Sequence, residues 1–174
     1  MTQVVLALGS NVGDALGYLQ EASEALSSGL DKARASSVYR TAPMYVEDQP
    51  SFLNAAVVGE TERGPLPLLQ WVKSLERRIG RSGGLRFGPR EIDIDLIAYG
   101  CAAYRFCEEG RRVLEAPHPR IAERRFVLAP VSELLPEGTL PGLGRVQDLL
   151  EKTNDQRGDV VKLNDAVLPI HSPG

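Results

Sequence analysis

The feature that most constrains this chain is a short run in which apolar and acidic residues alternate. The run consists of Ile92, Asp93, Ile94, Asp95 and Leu96. A period of two is typical of a β-strand, on which residues two positions apart share a face, so both carboxylates point the same way. Such a pair suits two divalent cations held about 3.5–4 Å apart, as in metal-assisted phosphoryl chemistry. The alternative for an Asp-x-Asp pair taken alone is the solvated face of an edge strand.

Arginines flank the acidic pair on both sides. The basic residues before it are Arg77, Arg78, Arg81, Arg86 and Arg90, and those after it are His118, Arg120, Arg124 and Arg125. An arginine guanidinium binds phosphate oxygens through two parallel hydrogen bonds. Carboxylates that hold Mg²⁺, surrounded by arginines that bind a polyphosphate, are what chemistry on a nucleoside triphosphate requires. The glycine-rich segment 80–89 is either a lid over the phosphates or an ordinary mobile loop.

Composition describes an ordinary globular chain with an uneven distribution of charge. At 174 residues the size prior indicates a single domain over 1–174. The formal net charge of −3 argues against a general affinity for nucleic acid, although residues 77–125 carry a net positive charge. Cys101 and Cys107 form no zinc pattern. The start of the chain has no signal-peptide pattern, and no apolar run approaches the roughly 20 residues of a membrane span. We therefore expect a cytoplasmic protein with free thiols and no membrane partner.

Apolar spacing predicts the element order β-α-β-β-α-β as far as residue 99. The predicted strands are 4–8, 33–41, 52–60, 92–99 and, near the end, 160–163. The predicted helices are one that Asp14 caps and Gly29 closes, a second over Pro65–Ile79 that Gly80 closes, and a weakly amphipathic one over 143–152. Residues 124–128 fit either a helix or a strand. The pattern predicts a loop at 42–50, an irregular surface stretch from 100 to 112 and a loose tail at 168–174.

Three further features allow a structural or a functional interpretation. Asn54 interrupts an apolar strand and must be hydrogen-bonded if it is buried. Its planar amide either reads the edge of a heterocycle or holds the preceding loop. The glycine-containing turn at 9–14 lacks both the dinucleotide fingerprint and the P-loop pattern, so we interpret it as mainly structural. His118 lies between two prolines that stiffen its backbone, close to two groups of arginines.

Four blocks of sequence occur together in the order of one enzyme family. They read Leu-Gly-Ser-Asn at 8–11, Tyr-Arg-Thr-Ala-Pro through Asp-Gln-Pro-Ser-Phe-Leu-Asn-Ala-Ala at 39–56, Gly-Arg through Arg-Phe-Gly-Pro-Arg-Glu-Ile-Asp-Ile-Asp-Leu-Ile at 80–97, and Pro-His-Pro-Arg through Arg-Arg-Phe-Val-Leu-Ala-Pro at 117–130. In these blocks the chain resembles the 6-hydroxymethyl-7,8-dihydropterin pyrophosphokinases. The resemblance covers roughly residues 4–136, and residues 156–174 are a candidate C-terminal extension of a single domain. It implies an α/β (α+β) sandwich of ferredoxin-like topology, with a mostly antiparallel sheet flanked by helices.

The resemblance also implies an activity and roles for individual residues. The family transfers pyrophosphate from ATP to the pterin hydroxymethyl group, releasing AMP, in folate biosynthesis. Asp93 and Asp95 match the ligands of two Mg²⁺ ions. The implied catalytic set is Arg81, Arg86, Arg90, Asp93 and Asp95. The implied ATP-binding set is Leu69, Glu76, Arg81, Arg90, His118 and Arg124. The implied pterin-binding set is Thr41, Ala42, Met44, Phe52, Asn54, Phe87 and Phe126, in which Phe52 and Phe126 sandwich the ring.

Two positions depart from the family pattern. Phe87 stands where many members carry Trp, so closure of the loop over the pterin is expected to be weaker. Val113 stands where some members carry an ATP-contacting arginine, and either Arg111 or Arg112 is a candidate substitute.

Two other functions fit parts of the sequence. A metal-dependent phosphodiesterase would use the same acidic pair to activate water, with an additional general base. A non-catalytic nucleic-acid-binding module would use the arginines and would bind single strands with a steep dependence on salt. We expect neither, and we expect a monomer whose partners are ATP and 6-hydroxymethyl-7,8-dihydropterin, without nucleic acid. AMP release that depends on the pterin distinguishes the three functions.

Overall fold

A six-stranded antiparallel sheet runs through the computed structural model, which describes residues 1–42, 50–80 and 91–171. In chain order the helices and strands are β1 (Thr2–Ser10), α1 (Ala15–Gly29), β2 (Asp31–Ala35), β3 (Tyr39–Thr41), β4 (Phe52–Thr61), α2 (Pro65–Ile79), β5 (Asp93–Tyr99), β6 (Tyr104–Glu108), β7 (Arg111–Ala116), α3 (Arg125–Leu134), β8 (Thr139–Leu140), β9 (Gly144–Arg145), α4 (Val146–Lys152) and β10 (Val160–Lys162). Two 3-10 turns, Pro119–Glu123 and Asn154–Gln156, precede α3 and follow α4.

The order of the strands in the sheet is the ferredoxin-like one. The sheet runs β10-β3-β4-β1-β5, and β2 pairs with β4 beside β3. Strand β1 pairs antiparallel with both β4 and β5, while α1 and α2 provide the two crossovers. The predicted α/β sandwich with a mostly antiparallel sheet is therefore confirmed, as is the element order through β5.

The first two helices form where capping and apolar spacing predict them. The Asp14 carboxylate accepts a hydrogen bond from the Gly17 N–H at 3.0 Å and so caps α1. Helix α2 has the predicted bounds, with Pro65 in its first turn and a cap at Gly80. Its buried stripe consists of Leu68, Val72, Leu75 and Ile79.

No described helix is both long and apolar enough to cross a lipid bilayer.

The sheet has an apolar core on each face. Helices α1 and α2 pack on the face that holds Leu6, Leu8 and Ile94. Helices α3 and α4 pack on the opposite face, against Val58 and Ile97. In the first half of β1, Val4, Val5 and Leu6 are therefore all buried although successive side chains point to opposite faces. Helices α3 and α4 contact one end of their face. Within residues 1–42, 50–80 and 91–171 the other end is uncovered, and the cleft described below lies there.

The predicted strand 33–41 is two strands. Strands β2 and β3 pair with successive parts of β4 and are interrupted around Ser36. There the Ser36 hydroxyl accepts a hydrogen bond from the Ala56 N–H at 2.8 Å, while the Ser36 N–H donates to the Ala56 carbonyl at 2.9 Å. A side-chain oxygen thus replaces one backbone acceptor, so the chain bends without leaving a buried amide unpaired.

The stretch from 100 to 112 was predicted to be irregular, and this prediction is wrong. Strands β6 and β7 form an antiparallel hairpin in which Tyr104 pairs with Ala116. Tyr104 and Phe106 stack with their ring centroids 6.3 Å apart. Residues 124–128, which fitted either a helix or a strand, begin helix α3. The helix predicted over 143–152 is shorter, because its first residues belong to the small hairpin of β8 and β9.

The described part of the predicted tail, residues 168–171, is not loose. Leu168 is only 7% exposed and packs with the core of α1 and α2. The Ser23 hydroxyl donates to the Pro169 carbonyl at 2.8 Å, and the His171 N–H donates to the Ser27 hydroxyl at 3.1 Å. One buried leucine and hydrogen bonds to α1 therefore fix the described part of this segment.

We expect Leu168→Ala to destabilise the protein by about 2–3 kcal/mol, because it removes buried apolar volume from the core. The neighbouring Val167 is 73% exposed, so Val167→Ala is the matched control and should change stability by less than about 0.5 kcal/mol. Urea unfolding of both variants measures the difference. Equal free energies of unfolding for the two variants would show that the segment contributes nothing to the core.

Candidate active site

The open end of the second sheet face forms the floor of a large cleft. The cleft has a volume of about 1590 Å³ and lies between this floor, the turn after β1, the β6–β7 hairpin and the start of α3. Small residues occupy the middle of the floor, since β1 contributes Ala7 and Gly9 there. The floor is concave because the central strand contributes small side chains and the strands on either side contribute longer polar ones.

Register places the polar residues of the floor in two rows across the sheet. Gly9 pairs with Asn54 on one side and with Asp93 on the other. Two residues earlier on β1, Ala7 pairs with Ala56 of β4 on one side and with Asp95 of β5 on the other. Neighbouring strands lie about 4.8 Å apart, so Asn54 and Asp93 are separated by roughly 10 Å of glycine-lined floor. That width accommodates a flat heterocycle between an amide and a carboxylate.

Asn54 is buried and its orientation is fixed. Its amide nitrogen donates a hydrogen bond to the Thr41 hydroxyl at 2.7 Å. Its carbonyl oxygen lies over Gly9, where an added Cβ would approach it to 3.1 Å. Asn54 thus lines the cleft and also holds the end of β3, while its role in reading a heterocycle stays a prediction. Thr41 does not line the cleft and acts on it through Asn54.

Asp93 and Asp95 both line the cleft from β5, with Ile94 buried on the opposite face between them. Strand β5 is an edge strand, and side chains of α2 cover its outward backbone groups at Ile94. The Ile94 N–H donates to the Glu76 carboxylate at 2.5 Å, and the Lys73 ammonium donates to the Ile94 carbonyl at 3.2 Å. This contact fixes the peptide groups that join the two aspartates.

Lys73 and Glu76 form an ion pair one helical turn apart on α2, with 3.0 Å between the Lys73 nitrogen and the Glu76 carboxylate. The Lys73 nitrogen also lies 3.9 Å from an Asp95 carboxylate oxygen. Burial raises the pKa of the Glu76 carboxyl, whereas the hydrogen bond from Ile94 and the charge of Lys73 act in the opposite direction. Lys73 lines the cleft. Glu76 does not line it, and its carboxylate is hydrogen-bonded to β5 instead.

The wall opposite β5 carries His118, Arg124 and Phe126. The His118 Nδ1 accepts a hydrogen bond from the Arg120 N–H at 3.2 Å, which fixes the imidazole at the start of the 3-10 turn. The Arg124 guanidinium carbon lies 6.0 Å from the centre of the Phe126 ring. A cation and an aromatic face thus lie side by side at the point where the chain enters α3.

The β6–β7 hairpin closes one end of the cleft. Val113 lines the cleft and is 42% exposed, and the neighbouring Arg112 also lines it. The Arg112 guanidinium lies 2.6 Å from the Glu115 carboxylate. Arg111 is not among the lining residues. Of the two candidate substitutes for an arginine at position 113, the structure therefore places Arg112 in the cleft.

The structure brings together most of the described residues that the sequence singled out. Those that line this cleft are Leu69, Asp93, Asp95, His118, Arg124, Phe52, Asn54 and Phe126. Thr41, Ala42 and Glu76 do not line it; the Ala42 N–H donates to the Asp159 carbonyl at 3.0 Å. Met44, Arg81, Arg86, Phe87 and Arg90 lie outside the described residues, and their roles stay predictions.

Several lining residues were not selected from the sequence. The interpretation of the turn at 9–14 as mainly structural is incomplete, since Asn11, Val12 and Gly13 line the cleft. Lys73 and Gln156 line it as well. Only the pairing of β1 between β4 and β5 brings the turn to the site, and only the edge position of β5 brings Lys73 there. No local pattern in the sequence carries either signal.

The acidic pair fits magnesium in its chemistry and its number. Two carboxylates are hard oxygen donors, which Mg²⁺ prefers. Within the described ranges, no group of three or more histidine, cysteine or acidic side chains converges on one point. Magnesium commonly takes only one or two carboxylates from the protein and completes its octahedron with substrate phosphates and water. Asp93 and Asp95 therefore suit ions that arrive together with a polyphosphate.

Comparisons with known proteins agree on one family. The family model described as 7,8-dihydro-6-hydroxymethylpterin-pyrophosphokinase (HPPK) matches residues 5–136. A mitochondrial folate synthesis bifunctional protein of Pisum sativum is 48% identical over 134 residues, which are 76% of this chain and 25% of that protein. A 2-amino-4-hydroxy-6-hydroxymethyldihydropteridine pyrophosphokinase of Methylorubrum extorquens is 42% identical over 144 residues, 82% of this chain and 88% of that protein. The chain thus spans about a quarter of the plant relative and most of the bacterial one.

The fold is also similar to that of a solved structure, wild-type HPPK-DHPS of Plasmodium falciparum with SDX-DHP. The TM-score is 0.69 at 17% sequence identity, and the alignment covers 95% of this chain and 46% of that chain. At this level of identity the similarity shows the shared fold alone.

We expect Glu76→Ala to loosen β5, because it leaves the outward N–H of Ile94 without its carboxylate partner. An unpaired amide in a partly buried position costs about 1–3 kcal/mol. Amide hydrogen exchange should show reduced protection at Ile94, and urea unfolding should show the loss of stability. Arg78→Ala, an exposed change on the same helix, is the control. Unchanged protection at Ile94 in the Glu76 variant would contradict the proposed role of this contact.

Proposed function

The chain belongs to the 7,8-dihydro-6-hydroxymethylpterin-pyrophosphokinase family, and from this premise we propose that it transfers the pyrophosphoryl group of ATP to 6-hydroxymethyl-7,8-dihydropterin in folate biosynthesis. The products are AMP and the pterin diphosphate. The observation that supports the proposal best is the row Asn54, Gly9 and Asp93, because it aligns a heterocycle-reading amide with a metal-binding carboxylate in one cleft. ATP and the pterin are the proposed partners; the monomeric state and cytoplasmic location stay predictions.

The pterin binds, in this proposal, over Gly9. The Asn54 carbonyl oxygen accepts a hydrogen bond from the edge of the ring, and Thr41 keeps the amide from rotating by accepting from its nitrogen. Phe52 and Phe126 line the cleft and provide the aromatic faces between which the flat ring stacks. The hydroxymethyl group then points along the floor toward the acidic pair.

The triphosphate binds between β5 and the start of α3. His118 and Arg124 contact phosphate oxygens from one wall, and Lys73 brings a further positive charge from the other. Arg81, Arg86 and Arg90 are proposed to complete the set. Asp93 and Asp95 hold the two magnesium ions, which when bound neutralise phosphate charge and make the substrate hydroxyl more acidic. The chain's own residues provide alignment and charge rather than a covalent nucleophile, as phosphoryl transfer requires.

The attack is proposed to be in line, from the pterin oxygen onto the β-phosphorus. The O–P bond to the pterin forms while the bond between the β-phosphorus and the oxygen bridging to the α-phosphate breaks. AMP leaves with that oxygen, and the hydroxyl proton goes to solvent or phosphate. Stacking and the fixed amide of Asn54 limit the positions of the attacking oxygen, while His118 and Arg124 hold the leaving end.

The direct test is AMP release from ATP and Mg²⁺ with and without 6-hydroxymethyl-7,8-dihydropterin. We expect AMP only in the presence of the pterin, in equal amount to the pterin diphosphate. Release of ADP or free phosphate, or hydrolysis of a phosphodiester without pterin, would replace the proposal with a hydrolase. Salt-dependent binding of single-stranded nucleic acid without turnover would replace it with a binding module.

In the same assay Asp95→Ala should lower turnover by at least about a thousandfold, since metal-ion catalysis contributes several kcal/mol. The fold should persist because the Asp95 side chain is 55% exposed. Asp165→Ala, at an exposed position of the C-terminal segment, is the control. Full turnover of the Asp95 variant with Mg²⁺ as the only metal would refute the assignment of the acidic pair.

We expect Arg112→Ala to raise the KM for ATP by about tenfold, equivalent to ~1.4 kcal/mol of lost binding. Arg112 lines the cleft, and Glu115 holds its guanidinium in place. Arg111→Ala is the matched control, since it removes the same charge from the adjacent position, and it should change KM less than twofold. Steady-state kinetics with ATP as the varied substrate separates the two variants. A larger effect at Arg111 would show that the other arginine contacts the nucleotide.

A further inference from the structure

Gln156 lies beyond the residues that the family model matches, yet it lines the cleft. It belongs to the 3-10 turn Asn154–Gln156, which follows α4. Its side chain is half-buried and extends to the junction between the preceding 3-10 turn and α3. At that junction is Arg124, the residue proposed above to contact phosphate.

The two polar atoms of the Gln156 amide hold the two neighbours of Arg124. The amide nitrogen donates to the Glu123 carbonyl at 2.9 Å, and the amide oxygen accepts from the Arg125 N–H at 3.2 Å. One side chain thus spans the backbone on both sides of a single residue. The Arg125 guanidinium reinforces the contact by donating to the Leu150 carbonyl at 2.9 Å.

The Glu123 carbonyl and the Arg125 N–H need this contact, because neither the preceding 3-10 turn nor α3 supplies a partner for them. Arg124 has φ −111° and ψ 91°, an extended conformation between two helical segments. The first N–H groups of an α-helix have no acceptor within the helix, and Arg125 is the first residue of α3. The Arg124 N–H donates to the Ile121 carbonyl at 3.1 Å, and its carbonyl accepts from the Val127 N–H at 3.0 Å. Gln156 therefore completes a set of four consecutive backbone groups that are all hydrogen-bonded.

We propose that Gln156 is a positioning residue for the reaction, which fixes the direction in which the Arg124 side chain enters the cleft. The inference rests on the proposed function, since it takes Arg124 as a phosphate contact. It assigns a role in the active site to the C-terminal region. It also gives a reason why the Gln156 side chain lies at the cleft wall and does not extend into solvent.

The test is a double-mutant cycle with Gln156→Leu and Arg124→Ala, measured as kcat/KM for ATP in the pterin-dependent release of AMP. We expect Gln156→Leu to lower kcat/KM about tenfold in the wild-type background, because small misplacements of a phosphate contact are costly. In the Arg124→Ala background the same change should cost less than about twofold, since its target is absent. Gln156→Asn keeps an amide that is too short to bridge both neighbours, and it should behave like Gln156→Leu.

Gln20→Leu is the matched control. The Gln20 amide is also half-buried and donates to a backbone carbonyl of the C-terminal segment, at Val167. Its loss should leave kcat/KM unchanged. Equal losses from Gln156→Leu in both backgrounds, or no loss in either, would overturn the inference while leaving the proposed function intact.

Failure of the proposed function gives a different result: the wild-type protein then shows no pterin-dependent release of AMP. The cycle is then measured on the dissociation constant for ATP with Mg²⁺ by calorimetry. We expect the same non-additivity there, and additive effects would overturn the positioning role. Amide exchange at Arg125 provides a structural readout for each variant, and undiminished protection in Gln156→Leu would also refute the contact.

Discussion

The arrangement depends on the pairing of β1 with both β4 and β5. Because Gly9 faces Asn54 on one side and Asp93 on the other, one strand fixes the distance between the proposed pterin and metal positions. A shift by one residue would turn the side chains of β5 over, placing Ile94 in the cleft and both aspartates in the apolar core. The alternation of β5 itself opposes that shift, since Ile94 and Leu96 are buried in the core of α1 and α2. The same burial that stabilises the fold therefore sets the register of the site.

In the part of the chain that the structure describes, incomplete coverage of one sheet face creates the cleft. Helices α1 and α2 complete the ferredoxin-like unit on one side, while α3 and α4 cover only one end of the other. The exposed end would be an unfavourable apolar surface if large side chains lay on it. Ala7 and Gly9 instead leave room for a ligand, and polar residues occupy the margins. The C-terminal region contributes to this wall through Gln156 and closes the sheet edge through β10, so it takes part in both the site and the fold.

Local pattern was sufficient for elements whose burial repeats regularly. The period of two at Asp93 and Asp95 and the stripe of α2 are such cases, and both are observed. The β6–β7 hairpin was missed because charged residues on an exposed ribbon obscure its alternation. The break at Ser36 depends on a hydroxyl that replaces a backbone acceptor, which no propensity encodes. Lys73 and Gln156 reach the site only through tertiary contacts, so neither has a local signal.

The contact of Lys73 and Glu76 with Ile94 has a consequence for how molecules of this protein meet one another. An edge strand presents free N–H and C=O groups to which a second chain can add a strand, and proteins avoid aggregation by blocking such edges. At Ile94 both groups are already hydrogen-bonded to side chains of α2. The Lys73 ammonium is bound to the carbonyl and is partly exposed, and the Glu76 carboxylate is bound to the N–H. At this residue the sheet margin that carries the acidic pair offers no free backbone group to an added strand. The same two side chains therefore fix the peptide groups between the two aspartates and occupy the backbone groups that an added strand would need there.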